Sequence, residues 1–451
     1  MIDPGSTYDL VLTGCTALRN NAGKDPRFEP NTTIAITDGQ IVAIGPDGDT
    51  PPACAELVET AGLVAIPGLI NCHTHAAMTL FRGVAEDVPV HSWFNKYVWP
   101  MEVNLTEEDV YLGTLLACAE MLASGVTSFA DHYFYMDAAA RAVEESGIRA
   151  NLGWAFFSSM GSEGVAQSAD FAQRLNGSAN GRITTSLAPH APYTVNDEDL
   201  ELAAEHARRI GVRVHIHAAE NLAQTESSVD SRGITPIEIL RRTGILDAGT
   251  IIAHGCGITD PDVPVLARYG TSVGVAHCPK VYLKHALPPL TPIRALDAAG
   301  VAVGLGTDGV AGNNTLDILE SMRLTAMTQK YVEEDATWMT TGHAINLATT
   351  QSAATFGLPN DIGALEVGRR ADIALLDMSG AHCQPIHDVA AALVYSARAG
   401  DVVTVVSDGA VVLRDRKLLT VDVAAIRAEL SGRLDRLIDI SHGDQIQRYD
   451  P

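Results

Sequence analysis

Several features are scarce in this sequence. It has no run of about 18 apolar residues, the length that crosses a bilayer as a helix. Its first residues, MIDPGSTYDLVLTG, lack a basic stretch followed by an apolar one, so no secretory signal is expected. The seven cysteines are odd in number and form no CxxC pair, which argues against a disulfide framework and suits a reducing compartment. These absences predict a soluble, cytoplasmic protein.

Positive charge is also scarce. The chain has 31 Lys and Arg residues against 55 Asp and Glu residues, a formal net charge of −24 at pH 7. Nucleic acids and anionic membranes are bound through clusters of Lys and Arg, so neither is an expected partner. The expected partner is a small-molecule substrate.

The rest of the composition is that of a globular protein, with 46% hydrophobic and 19% charged residues. A chain of 451 residues exceeds one ordinary compact core, so one large and one smaller domain are expected. The first 66 residues alternate short apolar runs with turn signals such as Asp38-Gly39, and the chain after 360 returns to that pattern. Residues 1–66 and 363–451 are therefore predicted to form one small β-sandwich domain, which includes a terminal helix.

Between them, residues 67–362 alternate apolar runs with helical segments. The eight runs are GLINCH (68–73), VTSFAD (126–131), RANLGWA (149–155), ITTSLAP (183–189), VRVHIH (212–217), TIIAH (250–254), SVGVAH (272–277) and VAVGLGTD (301–308). Thr106 is a helix N-cap and Gly125 a stop, and Asn196 or Asp197 opens another helix that Gly211 closes. Eight strand–helix units over about 300 residues predict a (β/α)8 barrel of the α/β class, with its active site at the carboxyl ends of the strands.

Histidines stand at these strand ends. His73 and His75 end the first strand one residue apart, so their side chains share a face. Strands four to eight end in His190, His217, His254, His277 and Asp308. Only 15 of the 451 residues are histidine, and barrel geometry brings strand ends to one point, so the pattern predicts a metal centre. Taken singly, His190 and His277 could instead be substrate contacts or packed rings.

Four stretches carry a family resemblance. HTHAAMTLFRG, HIHAAE, AHCPKVYLK and LGTDGVAGNNTLDILESMR resemble the amidohydrolase superfamily, and within it methylthioadenosine/S-adenosylhomocysteine deaminases and related triazine hydrolases. The resemblance runs through nearly the whole chain and implies a metal-dependent aminohydrolase acting on cyclic amidines. It implies one divalent ion, expected to be zinc, on His73, His75, His217 and Asp308. Homo-oligomers are common among such proteins.

The resemblance also implies roles for other residues. His254 orients the attacking water, Asp308 accepts its proton, and Glu220, three residues after His217, moves protons as general acid and base. Glu102 holds ribose hydroxyls in the nucleoside-using members; its alternative is a solvated acid before the helix cap. The expected substrate contacts are Glu102, His190, Glu220, Trp154 and His277.

The chemistry needs these residue types. Three imidazoles and a carboxylate suit a divalent ion with a position open to water, and such an ion makes hydroxide available at neutral pH to attack an amino-bearing aromatic carbon. Glu220 then gives a proton to the ring and another to the amine, which leaves as ammonia. Because no lysine ends strand four, where binuclear relatives carry a bridging one, a single ion is expected.

The sequence departs from the resemblance after the third strand. Members that accept S-adenosylhomocysteine hold its carboxylate there with two arginines, whereas residues 154–173 contain no Arg or Lys. Burying an unpaired carboxylate costs about several kcal/mol, so 5′-methylthioadenosine, 5′-deoxyadenosine or adenosine is favoured over S-adenosylhomocysteine. Lys280 stands where nucleoside deaminases have a small or polar residue, so a pterin, guanine-type or s-triazine substrate is an alternative. A catalytically silent scaffold is another.

Overall fold

A computed structural model describes residues 2, 6–19, 25–48 and 50–449. The strands are β1 Tyr8–Arg19, β2 Arg27–Thr37, β3 Gln40–Pro46, β4 Cys54–Glu59, β5 Val64–Pro67, β6 Leu69–Thr74, β7 Val126–Tyr133, β8 Arg149–Phe156, β9 Ile183–Pro189, β10 Arg213–Ala218, β11 Thr250–His254, β12 Val273–His277, β13 Ala302–Leu305, β14 Ile373–Leu376, β15 Val402–Ser407, β16 Ala410–Arg414 and β17 Lys417–Leu418.

The α-helices are α1 Val90–Ser92, α2 Trp99–Glu102, α3 Glu107–Ala123, α4 Met136–Ser146, α5 Ser162–Leu175, α6 Asp197–Ile210, α7 Leu222–Arg232, α8 Pro236–Arg242, α9 Val263–Ala267, α10 Pro279–Lys284, α11 Ile293–Ala298, α12 Val310–Asn313, α13 Ile318–Val332, α14 Thr341–Ala348, α15 Thr350–Phe356, α16 Val389–Tyr395, α17 Val423–Ser431 and α18 Leu434–Leu437. A π-helical stretch, Trp93–Val98, joins α1 to α2. Within the described ranges, none of the helices has both the length and the apolar character needed to span a bilayer.

The eight strands β6 to β13 form one parallel sheet in chain order, with helices between them. The first barrel strand, β6, meets the chain just after the last barrel strand, β13. The backbone N–H groups of Thr307 and Asp308 donate to the carbonyl of His73 at 3.1 and 3.0 Å. Gly306 permits this approach, since a Cβ there would lie 2.7 Å from Cys278 Sγ. The predicted (β/α)8 barrel is confirmed, and its carboxyl edge joins β6 to Asp308.

Both chain ends form a second, mixed sheet of nine strands. Its order is β17-β16-β15-β14-β5-β1-β2-β3, with β4 also paired to β1. Strand β5, from the first part of the chain, pairs antiparallel with β14 from the last part. This confirms the predicted small β domain built from both ends; the boundaries at residues 66 and 362 stay predictions. The Asp38-Gly39 hairpin is present, with φ of 51° and 73° between β2 and β3.

The two faces of strand β5 tie the sheet to the barrel. Val64 and Ile66 pack into the large apolar core that includes the barrel, whereas Ala65 packs with Ile373 in the mixed sheet's own core. Successive side chains on a strand point to opposite faces, which explains the division. Strand β5 is therefore buried on both sides and fixes the sheet against the barrel.

The helix ends follow the sequence signals. Helix α3 begins after Thr106, whose Oγ1 accepts from the Asp109 N–H at 3.3 Å while the Asp109 carboxylate accepts from the Thr106 N–H at 2.9 Å. Each side chain thus satisfies a backbone donor that the helix itself leaves free. Helix α6 begins after Asn196 and ends at Gly211, which has a φ of 81°. These boundaries are confirmed.

Candidate metal centre and active site

Four predicted ligands converge at the carboxyl edge of the barrel. His75 Nε2 lies 3.2 Å from Asp308 Oδ1 and 3.3 Å from His217 Nε2. His73 Nε2 lies 3.4 Å from the same Asp308 oxygen. Strand β6 brings two of these groups, β10 the third, and the turn after β13 the fourth.

Hydrogen bonds from Nδ1 to backbone carbonyls orient His75 and His217. His75 Nδ1 donates to the carbonyl of His132 at 2.6 Å, and His217 Nδ1 donates to the carbonyl of His190 at 2.8 Å. Because a carbonyl only accepts, each Nδ1 carries a proton, which leaves the Nε2 atom of each ring facing the centre. This is the arrangement in which histidines bind metals.

His73 is held by another side chain. Its Nδ1 lies 2.9 Å from His215 Nε2, and its buried Nε2 faces Asp308 Oδ1 at 3.4 Å. The donor atoms of His73, His75 and His217 all lie within 4.8 Å of one another, as do those of His73, His254 and Asp308. Imidazole nitrogens with one carboxylate suit a divalent transition ion such as zinc. The residues present therefore fit a metal ion.

The charges within the centre differ sharply. Burial alone would raise the pKa of Asp308, yet hydrogen bonds from His73 and His75 hold that pKa well below its usual range. Burial works to lower the pKa of His75, but the hydrogen bond and charge of Asp308 outweigh it and raise the pKa to about 9. Burial and neighbouring imidazoles lower the pKa of His217 well below its usual range. The centre thus contains an ionised Asp308, a His75 ring whose charged form that carboxylate favours, and a neutral His217 ring.

His254 lies beside this group at the end of β11. Its ring centroid is 5.1 Å from that of His73, and burial lowers its pKa to about 3, so the imidazole is neutral. His254 and Asp308 both have left-handed backbones, with φ of 79° and 61°. Non-glycine residues adopt this conformation at some energetic cost, which is often found at functional sites.

The centre opens into a cavity with about 770 Å3 of empty space, open solvent included. Its lining includes both predicted carboxylates, Glu102 and Glu220. Burial raises the pKa of each to about 7. The hydroxyl of Tyr133 donates to Glu102 Oε1 at 2.6 Å, which partly opposes the shift. Both groups can therefore exchange protons near neutral pH.

Aromatic side chains form much of the remaining wall. Phe94 and Trp99 come from the segment before Glu102, and Phe157 follows β8. His190 also lines the cavity, with its ring centroid 4.8 Å from that of Phe157 and its Nδ1 2.8 Å from Thr194 Oγ1. These flat rings offer stacking surfaces for a planar heterocycle.

Two predicted substrate contacts lie outside the cavity lining. The ring of Trp154 packs against Phe171 of α5 at a centroid distance of 5.7 Å, on the helix side of β8. The neighbours that do line the cavity are Ala155 and Phe157, which shows that strand alternation turns Trp154 outward. His277 is fully buried and its Nδ1 lies 2.9 Å from Thr291 Oγ1. Neither residue is in the cavity lining, and their contact with a ligand stays a prediction.

Lys280 also lies outside the cavity lining. Its Nζ is 2.8 Å from Glu320 Oε2 and donates to Thr315 Oγ1 at 3.1 Å. The sequence difference at this position thus serves an ion pair between α10 and α13 and does not alter the cavity wall.

Strand β7 supplies two residues that sequence reasoning missed. His132 and Tyr133 both line the cavity. The apolar run predicts an end of the second barrel strand at residue 131, whereas β7 continues to Tyr133. The sequence ADHYFY could have indicated this longer strand, because His132 and Tyr133 follow directly on the run that ends at Asp131.

Comparisons with known proteins agree with this geometry. The amidohydrolase family model matches residues 64–412. A 5-methylthioadenosine/S-adenosylhomocysteine deaminase of Desulforudis audaxviator is 42% identical over 410 residues, covering 90% of this chain and 95% of the relative. The crystal structure of a zinc-bound adenosine deaminase from Xanthomonas campestris has a TM-score of 0.91 and 33% identity, covering 96% of this chain and 99% of that one. Zinc-bound atrazine chlorohydrolase from Arthrobacter aurescens TC1 has a TM-score of 0.84 and 25% identity, covering 94% and 100%.

Proposed function

The chain belongs to the amidohydrolase family and is a hydrolytic aminohydrolase, and on that premise we propose that it deaminates an adenine nucleoside with a small or apolar 5′ group. The candidate substrates are 5′-methylthioadenosine, 5′-deoxyadenosine and adenosine. The products would be the corresponding inosine and ammonia.

One observation carries this proposal. Buried Glu102 and half-buried Glu220 both line the cavity at one His-Asp centre, and no Lys or Arg occurs among its described lining residues. Glu102 can accept hydrogen bonds from two ribose hydroxyls, which would anchor the sugar and direct the base toward the centre. The relatives named as methylthioadenosine/S-adenosylhomocysteine deaminase and as adenosine deaminase support the same substrate class.

His73, His75, His217 and Asp308 would hold one divalent ion, and zinc is the ion bound in two structural neighbours. Bound there, the ion supplies Lewis-acid activation of water at neutral pH. Asp308 takes the proton that the water gives up, because its hydrogen bonds keep the carboxylate ionised. Neutral His254 orients the oxygen toward the ring carbon.

Glu220 moves the remaining protons. With a pKa raised to about 7 by burial, it can give a proton to the ring nitrogen as the C–O bond forms. Now a carboxylate, Glu220 takes the hydroxyl proton of the tetrahedral adduct and passes it to the exocyclic amine. The C=O bond forms, the C–N bond breaks and ammonia leaves, and exchange with solvent returns Asp308 to the carboxylate and Glu220 to the acid. An ordinary exposed glutamate would be almost fully ionised at this pH and a poor acid.

The lining also favours an apolar 5′ group. Phe157 and Trp99 offer apolar contact, whereas a zwitterionic amino-acid tail would find no cation among the described lining residues. Moving a carboxylate from water into a buried site without a cation costs on the order of several kcal/mol. S-adenosylhomocysteine is therefore the less favoured substrate.

An ammonia-release assay across adenosine, 5′-methylthioadenosine, 5′-deoxyadenosine, S-adenosylhomocysteine, guanine, a pterin and atrazine tests the proposal. We expect the highest kcat/KM for one of the first three. Turnover of a pterin or triazine alone would replace the nucleoside proposal. A metal-loaded protein inactive on the whole panel would favour the scaffold alternative.

A further inference from the structure

The end of the chain is tied to the segment that carries Glu102. Residues 433–449, here called the C-terminal strap, follow α17. Arg436 Nη2 lies 2.6 Å from an oxygen of Asp109, whose side chain is fully buried. Asn104 Nδ2 donates to the carbonyl of Asp439 at 2.7 Å. These contacts fix the start of the strap beside the loop between α2 and α3.

The strap then runs antiparallel to that segment toward the cavity. The Ile446 N–H donates to the carbonyl of Trp99 at 3.3 Å. Farther along, Asn95 binds the backbone of Tyr449 on both sides: its Oδ1 accepts from the Tyr449 N–H at 2.9 Å, and its Nδ2 donates to the Tyr449 carbonyl at 3.0 Å. A side-chain amide thus holds one residue of the strap much as a neighbouring strand would.

Tyr449 is the buried anchor of the strap. Only 4% of its surface is exposed, and its ring stacks on Phe94 at a centroid distance of 4.6 Å and an angle of 8°. The Tyr193 ring also contacts it, at a centroid distance of 5.8 Å and an angle of 79°. Phe94 belongs to the cavity wall, so the strap packs directly behind that wall.

The same residue reaches toward Glu220. Gln224 Nε2 lies 3.5 Å from the Tyr449 hydroxyl, and the other end of that amide, Oε1, accepts from the Glu220 N–H at 3.1 Å. Tyr449 therefore stands between two walls of the cavity. One carries Glu102 and its aromatic neighbours, and the other carries Glu220.

We propose that Tyr449 is a positioning residue. It holds the Glu102 segment, residues 93–104, against the loop between β10 and α7 that carries Glu220. The C-terminal strap thereby packs behind the cavity wall and fixes the position of that wall; we call this role a brace. This inference rests on the proposed function, because it assigns to the strap the spacing between the sugar-binding and proton-moving carboxylates. Tyr449 does not itself line the cavity, so it acts through Phe94, Asn95 and Gln224.

The expected kinetic effect of removing Tyr449 depends on the role of Glu102, whose segment Tyr449 holds in place. Glu102 is proposed to contact the sugar, which is bound alike in the ground state and the transition state, so a displaced Glu102 should act mainly on KM. Misplacement by about 1 Å can cost up to about 100-fold. The hydroxyl contact is long at 3.5 Å and should contribute little. The ring is therefore the group to remove.

The test compares Tyr449→Ala, Tyr449→Leu and Tyr449→Phe with Arg448→Ala, a control at an exposed neighbouring residue. For the best nucleoside substrate, we expect Tyr449→Ala to raise KM by about tenfold, with a smaller change in kcat and unchanged metal content. Tyr449→Phe keeps the stacked ring and should stay within about twofold of the wild type. Tyr449→Leu fills the space without a flat ring, and its KM should also rise.

A second measurement does not depend on turnover. Hydrogen–deuterium exchange of residues 93–104 should be faster in Tyr449→Ala and Tyr449→Leu than in the wild type, Tyr449→Phe and Arg448→Ala. Unchanged exchange in Tyr449→Ala, or a KM within about twofold of the wild type, would overturn the proposal. If the wild type deaminates no adenine nucleoside, the proposed function fails, while the exchange data still decide whether the strap braces the wall.

Discussion

Replacing Glu102 with glutamine removes a single negative charge from the proposed sugar site. Glutamine keeps the size of the side chain and an oxygen that can accept the hydrogen bond from the Tyr133 hydroxyl, which is 2.6 Å long in the wild type. Alanine would also leave that buried hydroxyl without its acceptor, at a cost of about 1–3 kcal/mol. The glutamine variant therefore isolates the charge from the packing.

The magnitude follows from the two hydroxyls that Glu102 is proposed to hold. Each hydrogen bond to a charged group contributes about 1.5–3 kcal/mol, which corresponds to a factor of about 10 to 150 in kcat/KM per bond. A neutral amide oxygen retains part of this, so we expect Glu102→Gln to lower kcat/KM for the nucleoside by about tenfold. Free adenine has no ribose, and its slower turnover should change by less than about twofold.

The pH dependence of KM is an independent test of the role of Glu102, because its direction can be predicted. Burial raises the pKa of Glu102 to about 7, so the carboxylate form grows between about pH 6 and 8. Since only the charged form binds the hydroxyls strongly, KM for the nucleoside should fall as pH rises through that window. Glu102→Gln cannot titrate, so its KM should lose that trend.

The assay is ammonia release from nucleoside and free base at several pH values, with Glu107→Gln as a control at an exposed acid in the same region. The control should match the wild type. A Glu102→Gln enzyme that keeps the full preference for the nucleoside would refute the assignment of the sugar to Glu102. A preference lost equally in both variants would place its cause outside the cavity.

Three further predictions concern the centre and the 5′ group. The purified protein should hold about one metal ion per chain, and His217→Ala should lose both ion and activity; full metal retention by that variant would place the ion elsewhere, for example at the separate group His382, Cys383 and Asp401. Glu220→Gln should keep the metal while kcat falls by about 100-fold or more, and near-normal turnover would remove Glu220 from the mechanism. The ratio of kcat/KM for 5′-methylthioadenosine over S-adenosylhomocysteine should exceed one; the reverse order would mean that a basic residue such as Lys284 reaches the tail.

The strand ends could be predicted because two local signals coincide there. Each barrel strand is an apolar run bounded by turn residues, and the candidate metal ligands stand at or just after the ends of those runs, as His217 and Asp308 do. Strand β7 shows the limit of this reasoning. Its polar end, His132 and Tyr133, belongs to the strand but breaks the apolar run, so periodicity ended the strand two residues early.

Trp154 shows a different limit. Both faces of a barrel strand are buried, so β8 has no polar face from which the inward residues could be read. A shift of one residue exchanges the two faces. The structure turns Ala155 and Phe157 to the cavity and Trp154 to α5, a choice that only the closed barrel determines. The contact of Tyr449 with Phe94 joins residues more than 300 positions apart, beyond any local pattern.

Three carboxyl groups share this cavity, and their surroundings give them different protonation states. Two imidazoles donate hydrogen bonds to Asp308 and keep it ionised, whereas burial beside aromatic rings raises the pKa of Glu102 and Glu220 to about 7. With pKa values of about 7, Glu102 can be ionised to accept the ribose hydroxyls while Glu220 is protonated to act as an acid at the same pH. No Lys or Arg among the described lining residues offers either group an ion pair. The separation of pKa values thus permits both binding and proton transfer in the same site.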